Sequence, residues 1–178
     1  MSFNNKTIII TGASKGIGKQ LALDLAKEGA NLALIARGAA ELQELKTEVE
    51  KSGSKCLIFA GSVADSALVD EVITTVTAEF GSIDFMINNA GFGVFKRASE
   101  ISTAEWDSIY ETNVKGTFLY SKAVLPSMKA AGGGHIINVA SDVAKRVFDG
   151  GSLYCSSKYA QDAFSMALRK EVREFGIK

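Results

Sequence analysis

The 178-residue chain holds two cysteines, one histidine and one proline. Cys56 and Cys155 stand alone, in neither a C-x-x-C nor a metal-ligand spacing, which argues for a reducing cytosol and against a disulfide or zinc framework. A single histidine, His135, nearly excludes a Ser-His-Asp triad or a His-rich metal site. There is no linker, low-complexity tract or sequence repeat. Lys+Arg and Asp+Glu are 20 each, so no charge of one sign advertises nucleic acid or an anionic membrane as a partner. No apolar run approaches the length of a membrane span. Residues 1–6 are polar and only Ile8–Ile10 follows, so no signal peptide is expected and the cytoplasm is the expected location. What is present is ordinary for a soluble globule: 47% hydrophobic and 22% charged residues. The length suits one domain over residues 1–178, and a chain of this size buries about 70% of its unfolded surface without staples.

One pattern recurs along the chain: a short apolar run, a helical stretch, then a glycine. Thr7–Thr11, Leu32–Ala36, Cys56–Ala60, Asp84–Asn88 and His135–Ala140 read as strands. Between them, Ile17 to Glu28 places Ile17, Leu21 and Leu25 on one helical face and stops at Gly29. Leu42, Leu45 and Val49 mark a second helix before Gly53. Asp65 to Phe80, with Val69, Val72 and Val76, marks a third before Gly81. Ser102 and Glu105 form a capping-box start for a helix carrying Trp106 and Ile109. A longer helix is expected from about Asn113 to Ala131, bent at Pro126. A last one is expected from Tyr154 to about Phe175. Strands apolar throughout are covered on both faces, and strand–helix alternation makes a parallel sheet in an α/β fold.

Between the first strand and the first helix lies Thr11-Gly12-Ala13-Ser14-Lys15-Gly16-Ile17-Gly18. Glycines there let backbone N–H groups and a helix N-terminus approach a pyrophosphate. The loop is not a phosphate-binding G-x-x-x-x-G-K-[ST] loop, because position 17 is isoleucine. By itself it also fits a plain tight turn; its place at the exit of strand one favours a dinucleotide. At the end of strand two, where an acid would hold ribose hydroxyls, stand Ala36 and Arg37. An arginine pairs instead with a 2′-phosphate, and Lys15 adds a second cation on that side. The bland alternative is that both are solvated surface charges. Together they point to NADP(H).

Farther on, Tyr154-Cys155-Ser156-Ser157-Lys158 puts a tyrosine and a lysine on one helical face. An ammonium beside a tyrosine favours its phenolate, and such a tyrosine serves as general acid or base. Alone, the pair is also what a helix surface shows by chance. Its company changes that reading. Ser141 leaves strand five, Asn113 opens the long helix, and Asn88-Asn89-Ala90-Gly91 leaves strand four, all at the carboxyl edge where open α/β sheets bind ligands.

These motifs, in this order from Lys6 onward, resemble the short-chain dehydrogenase/reductase family. They are T-G-x-x-x-G-x-G at Thr11–Gly18, N-N-A-G at Asn88–Gly91, N-V-x-G at Asn113–Gly116, a strand-end serine at Ser141, and Y-x-x-x-K at Tyr154 and Lys158. The resemblance implies a Rossmann-type doubly wound sheet of strand order 3-2-1-4-5. It also implies an NADP(H)-dependent oxidoreductase acting on a small carbonyl or alcohol. Tyr154 would exchange the proton with the substrate oxygen and Ser141 would hold that oxygen. Lys158 would hold the nicotinamide ribose and support the tyrosine. Asn113 would fix a relay water, or merely bend its helix. Gly12, Gly16 and Gly18 would line the pyrophosphate, Ile17 would pack near it, and Ser14 and Lys15 would also bind the cofactor. Asn89 and Gly91 would touch the adenine ribose, with Asn89 open to a purely structural reading. A homodimer or homotetramer through the long helices is implied, with no metal, nucleic acid or membrane.

Two departures stand out. Ser62 occupies the place where many members bond the adenine amine with an aspartate, so weaker adenine recognition is expected. The family also continues beyond the last helix with a sixth strand, a substrate-covering segment and a seventh strand, roughly 60 residues at about 30 per βαβ unit. Three readings compete for the early stop: a portion of a longer protein, a shortened and crippled enzyme, or a non-catalytic nucleotide-binding remnant. On any of them strand five is expected to be a bare apolar edge. Residues 92–97 and 142–153 are expected to wall the substrate pocket. Phe92, Phe95, Val147 and Phe148 make it partly apolar. Lys96, Arg97, Lys145 and Arg146 there serve an acidic substrate or merely solvate the loops.

Overall fold

The computed structural model describes residues 3–178; Met1 and Ser2, part of the polar opening stretch, lie outside the described residues. Five strands form one parallel sheet: β1 (Thr7–Thr11), β2 (Asn31–Ala36), β3 (Cys56–Ala60), β4 (Phe85–Asn88) and β5 (His135–Asn138). Their order is β3-β2-β1-β4-β5, as the motifs imply. Helices α1 (Gly16–Lys27), α2 (Ala39–Glu50), α3 (Ser66–Phe80), α4 (Thr103–Ile109), α5 (Gly116–Ala130) and α6 (Ser152–Val172) make the crossovers. Among the described residues, no helix is long and apolar enough to cross a membrane.

The central strand shows why both faces are covered. Successive side chains of a strand point to opposite faces. Ile8 and Ile10 of β1 join Ala22, Leu25, Leu42 and Leu45 of α1 and α2. Ile9 between them joins Val72, Val76, Tyr120 and Leu168 of α3, α5 and α6 on the other side. With apolar cover on both faces, only the sheet's ends remain for polar chemistry. The strand order reverses between β1 and β4, and the crevice of such sheets opens at the carboxyl ends beside that switch.

Three expectations need correction. Asn113 does not open the long helix. The chain turns helically from Thr103 through α4, a π-helical stretch at Tyr110–Lys115 and α5, and Asn113 is buried within the π stretch. The Ser102 capping box is present at the start, and α5 runs through Pro126. Second, β5 ends at Asn138 rather than Ala140, because Val139 and Ala140 turn into the crevice wall. Third, the edge of β5 is not bare. The Lys178 N–H donates to the Gly134 carbonyl at 2.9 Å and its own carbonyl accepts from the Ile136 N–H at 2.8 Å. These bonds make an isolated parallel bridge between Gly134 and Ile177, yet Ile137 is still 45% exposed.

The same deletion tests this layering at two sites. Ile9 is fully buried, whereas Ile17 is 69% exposed at the crevice mouth. Ile9→Ala should cost about 2–5 kcal/mol in urea unfolding. Ile17→Ala should stay within about 0.5 kcal/mol of wild type.

Candidate functional site

The crevice encloses about 450 Å³ and is walled by the exits of all five strands. From β1 come Gly12, Ser14, Lys15 and Ile17; from β2, Ala36 and Arg37; from β3, Gly61, Ser62 and Val63. The exit of β4 adds Asn89 to Gly93 and Phe95, and that of β5 adds Val139 and Ala140. Thr112 of the π stretch and Tyr154 and Lys158 of α6 complete it. Ten of the residues singled out from sequence therefore meet here: Gly12, Ser14, Lys15, Ile17, Arg37, Ser62, Asn89, Gly91, Tyr154 and Lys158.

The floor depends on close approach between the first and fourth strand ends. Gly12 has φ +66°, and a Cβ on it would lie 2.8 Å from the Ala90 Cα. A Cβ on Gly18 would run into the Gly12 carbonyl and stand 2.7 Å from the Asn89 Nδ2. Gly18 thus shapes the loop from behind, whereas Gly16, with φ +57°, is exposed and a Cβ on it would meet nothing within 4 Å. Asn89 fastens the contact, its Nδ2 donating to the carbonyls of Thr11 (3.0 Å) and Gly12 (3.2 Å). The Thr11 hydroxyl, which sequence reasoning passed over, accepts from the N–H groups of Asn89 and Ala90 at 3.0 and 3.1 Å.

At one end the crevice is cationic. Lys15 and Arg37 are both exposed and line it, and neither has an ion-pair partner among the described residues. The Ser62 hydroxyl accepts from the Ala64 N–H at 3.2 Å, which leaves its hydrogen for a donor role.

At the other end α6 presents Tyr154 and Lys158. Lys158 is 4% exposed, and its Nζ donates to the Val139 carbonyl and to Gln161 Oε1, both at 2.9 Å. Burial alone pushes the ammonium down from 10.5 to about 8. Its Nζ stands 5.9 Å from the Tyr154 ring centroid. The phenol ring is steadied by Phe95, edge-on at 5.4 Å, and Phe95 lies 5.9 Å from Phe148. The residues expected to wall an apolar pocket thus stand beside Tyr154, although Val147 is exposed. Of the basic residues in those walls, Lys96 pairs with Glu105, Lys145 with Asp162 and Arg146 with Asp142.

Two expected members are held by bonds of their own. Ser141 directly follows Ala140 of the crevice wall. Its Oγ donates to Asp142 Oδ1 at 3.2 Å and accepts from the Val143 N–H at 3.4 Å, capping the turn Asp142–Ala144. Asn113 lies behind the wall as a clamp. Its Oδ1 accepts from the Phe92 N–H at 3.1 Å, and its Nδ2 donates to the Phe92 carbonyl and the Ser157 hydroxyl at 3.0 Å each. Both amide hydrogens are committed, so the side chain fixes the loop after β4 to the π stretch. Ser157 and Gln161 were missed from sequence. Their signal was a polar stripe, Tyr154, Ser157, Lys158, Gln161 and Ser165, at helical spacing on a face that the fold turns inward.

The buried ammonium sets a pH dependence. Below about pH 8 Lys158 is charged in the folded and the unfolded chain alike, and it adds no slope. From about pH 8 to 10.5 the unfolded chain holds more protons, so this group's contribution to stability rises with pH. Urea unfolding near pH 7 and near pH 10 should show wild type gaining about 1–3 kcal/mol relative to Lys158→Met across that window. A constant difference would count against the burial effect.

Comparison with known proteins adds the family. The short chain dehydrogenase family model matches residues 6–178. D-threitol dehydrogenase of Mycolicibacterium smegmatis is 36% identical over 175 residues, 98% of this chain and 67% of that protein. A metagenomic short-chain oxidoreductase solved in complex with NADP superposes with a TM-score of 0.94 at 31% identity, over 100% of this chain and 81% of that one. NAD+-bound xylitol dehydrogenase superposes with a TM-score of 0.95 at 29% identity, over 100% of this chain and 69% of that one. The chain spans 14% to 74% of the length of the curated relatives it matches. A glycine-lined crevice at the strand reversal, a tyrosine and lysine on its wall, and a family match over nearly the whole chain lead to one assignment: the chain belongs to the short-chain dehydrogenase family of oxidoreductases.

Proposed function

We propose that the chain carries the catalytic machinery of an NADP(H)-dependent oxidoreductase interconverting a small carbonyl and its alcohol. The observation that carries it is the convergence, in one crevice, of unpaired cations at one end and Tyr154 with the buried Lys158 at the other. The cofactor fits the residues present. Gly12 lets the ends of β1 and β4 close into the crevice floor, the loop leads into the N-terminus of α1, and Lys15 and Arg37 supply charge for phosphates. Arg37 is the residue proposed to choose a 2′-phosphate over a free ribose hydroxyl. Bound there, the nicotinamide group supplies or accepts the hydride.

The chain's own part is proton movement and orientation. In reduction, Tyr154 gives its phenolic proton to the carbonyl oxygen as the carbon receives the hydride, and the electron pair of the former O–H bond stays on the tyrosine oxygen. The Lys158 ammonium favours that phenolate until solvent restores the proton. In oxidation the same atoms run in reverse. Ser141 is proposed to steady the substrate oxygen. Its present bonds, at 3.2 and 3.4 Å, are at the weak end of the range, so its hydroxyl can turn at low cost. Phe95 and Phe148 offer an apolar surface to the group beside the reacting carbon.

Two measurements test the reading. Following NADPH oxidation at its near-ultraviolet absorbance with a panel of small ketones, diketones and keto-esters, Tyr154→Phe should lower kcat by about 10²–10⁴-fold with cofactor binding nearly unchanged. Cofactor binding without any turnover in wild type would instead mark a nucleotide-binding remnant. In fluorescence titrations, Arg37→Asp should weaken NADPH by about 10–100-fold and favour NADH. An unchanged ratio of the two affinities would remove Arg37 from the assignment.

A further inference from the structure

Behind Lys158, and beyond its reading as the cation that serves Tyr154, lies a glutamine whose direction the structure dictates. Gln161 is 1% exposed, three positions after Lys158 on α6. Its Oε1 accepts from the Lys158 Nζ and its Nε2 donates to the Thr117 hydroxyl, each at 2.9 Å. That hydroxyl in turn donates to the Asn113 carbonyl at 2.9 Å. A hydroxyl has one hydrogen. With it committed to Asn113, Thr117 can only accept from Gln161, so the amide must turn its Nε2 toward Thr117 and its oxygen toward the ammonium. An ammonium has three hydrogens. The Val139 carbonyl and Gln161 take two, and one is left for the crevice that Lys158 lines.

Among the described residues, no acid is paired with Lys158. On α6, Asp162 pairs with Lys145 at 2.5 Å and Cys155 is buried. In the turn after β5, Asp142 pairs with Arg146. In the π stretch, Glu111 and Lys115 are exposed and Tyr110 stacks on Trp106. Asp107 of α4 is exposed, and Glu105 pairs with Lys96 of the loop after β4. His135, at the far end of β5, stacks on Phe85. Among the described residues, Tyr154 is the one titratable side chain in contact with the ammonium.

We propose that Gln161 is a positioning residue: through an amide oriented by Thr117 and Asn113, it holds the Lys158 ammonium so that one N–H faces the cofactor and Tyr154. A chain of neutral groups thereby ties the reacting end of α6 to the π stretch of the facing helix. The inference rests on the proposed role of Lys158, but its test can be read without turnover.

The full chain is labelled with ¹³C-lysine and titrated by NMR, the Lys158 signal being identified by its loss in Lys158→Met. Gln161→Leu removes the acceptor, and the Lys158 midpoint should fall by about one unit or more. Gln161→Glu places a carboxylate at the same position, and the midpoint should rise by about one unit or more. In carbonyl reduction the basic limb of kcat/KM should move with the same sign in each variant. A merely structural glutamine would lower thermal stability and move neither midpoint. Midpoints within about 0.3 unit of wild type in the folded variants overturn the proposal. If Gln161→Leu does not fold, Gln161→Glu decides alone, and the absence of a rise overturns it. A wild type without turnover overturns the proposed function, while the NMR midpoints still decide the role of Gln161.

Discussion

A lysine ammonium lies nearly out of water with no carboxylate beside it, held by a main-chain carbonyl and a side-chain amide. Removing a charge from water is costly, and neutral acceptors offset only part of that cost, so the proton on Lys158 is held less firmly than on a surface lysine. An acid in the place of Gln161 would secure the charge but would also spend it. With neutral partners the positive field stays directed outward, where Tyr154 stands. The surrounding polar groups can be read as the means of keeping this arrangement rigid. Asn113, Ser157, Thr117 and Gln161 satisfy one another in a buried layer between α5, α6 and the π stretch, where an unpaired polar group would cost more than its bonds gain.

The π stretch has a physical role in this arrangement. It widens the helical turn around Asn113, and the Asn113 amide closes on both polar groups of the Phe92 backbone. The loop that leaves β4 is thereby fixed to a helix instead of wandering over the crevice. Three residues earlier on the same exit, Asn89 performs the corresponding task for the glycine loop, tying β4 to β1 where the strand order reverses. Two asparagines thus fix the exit of β4, one to β1 and one to the π stretch. Each does so through hydrogen bonds to main chain, which a hydrophobic side chain of similar size could not supply.

Much of this was legible in the sequence. Five apolar strands, the glycine loop, the capping box at Ser102 and the pairing of Tyr154 with Lys158 follow from periodicity, turn chemistry and motif spacing, which are local properties, while the strand order came from the family resemblance. The polar stripe on α6 was visible as letters, but its meaning was not. Serine and glutamine at helical spacing look the same whether they face solvent or a buried partner, and only packing against α5 decides.

By its own pattern, then, the sequence determined the layered parallel sheet and the set of chemical groups brought to its carboxyl edge, because hydrophobic period and glycine placement act over a few residues. Tertiary structure alone decided three further matters. It turned the Ser141 hydroxyl into the following turn, and it made Asn113 a clamp inside a helix instead of its first residue. It also gave Lys158 a glutamine instead of an acid for company. These are outcomes of competition among donors and acceptors from distant segments. A hydrogen bond is settled by which partner arrives within about 3 Å, and no spacing along the chain records that.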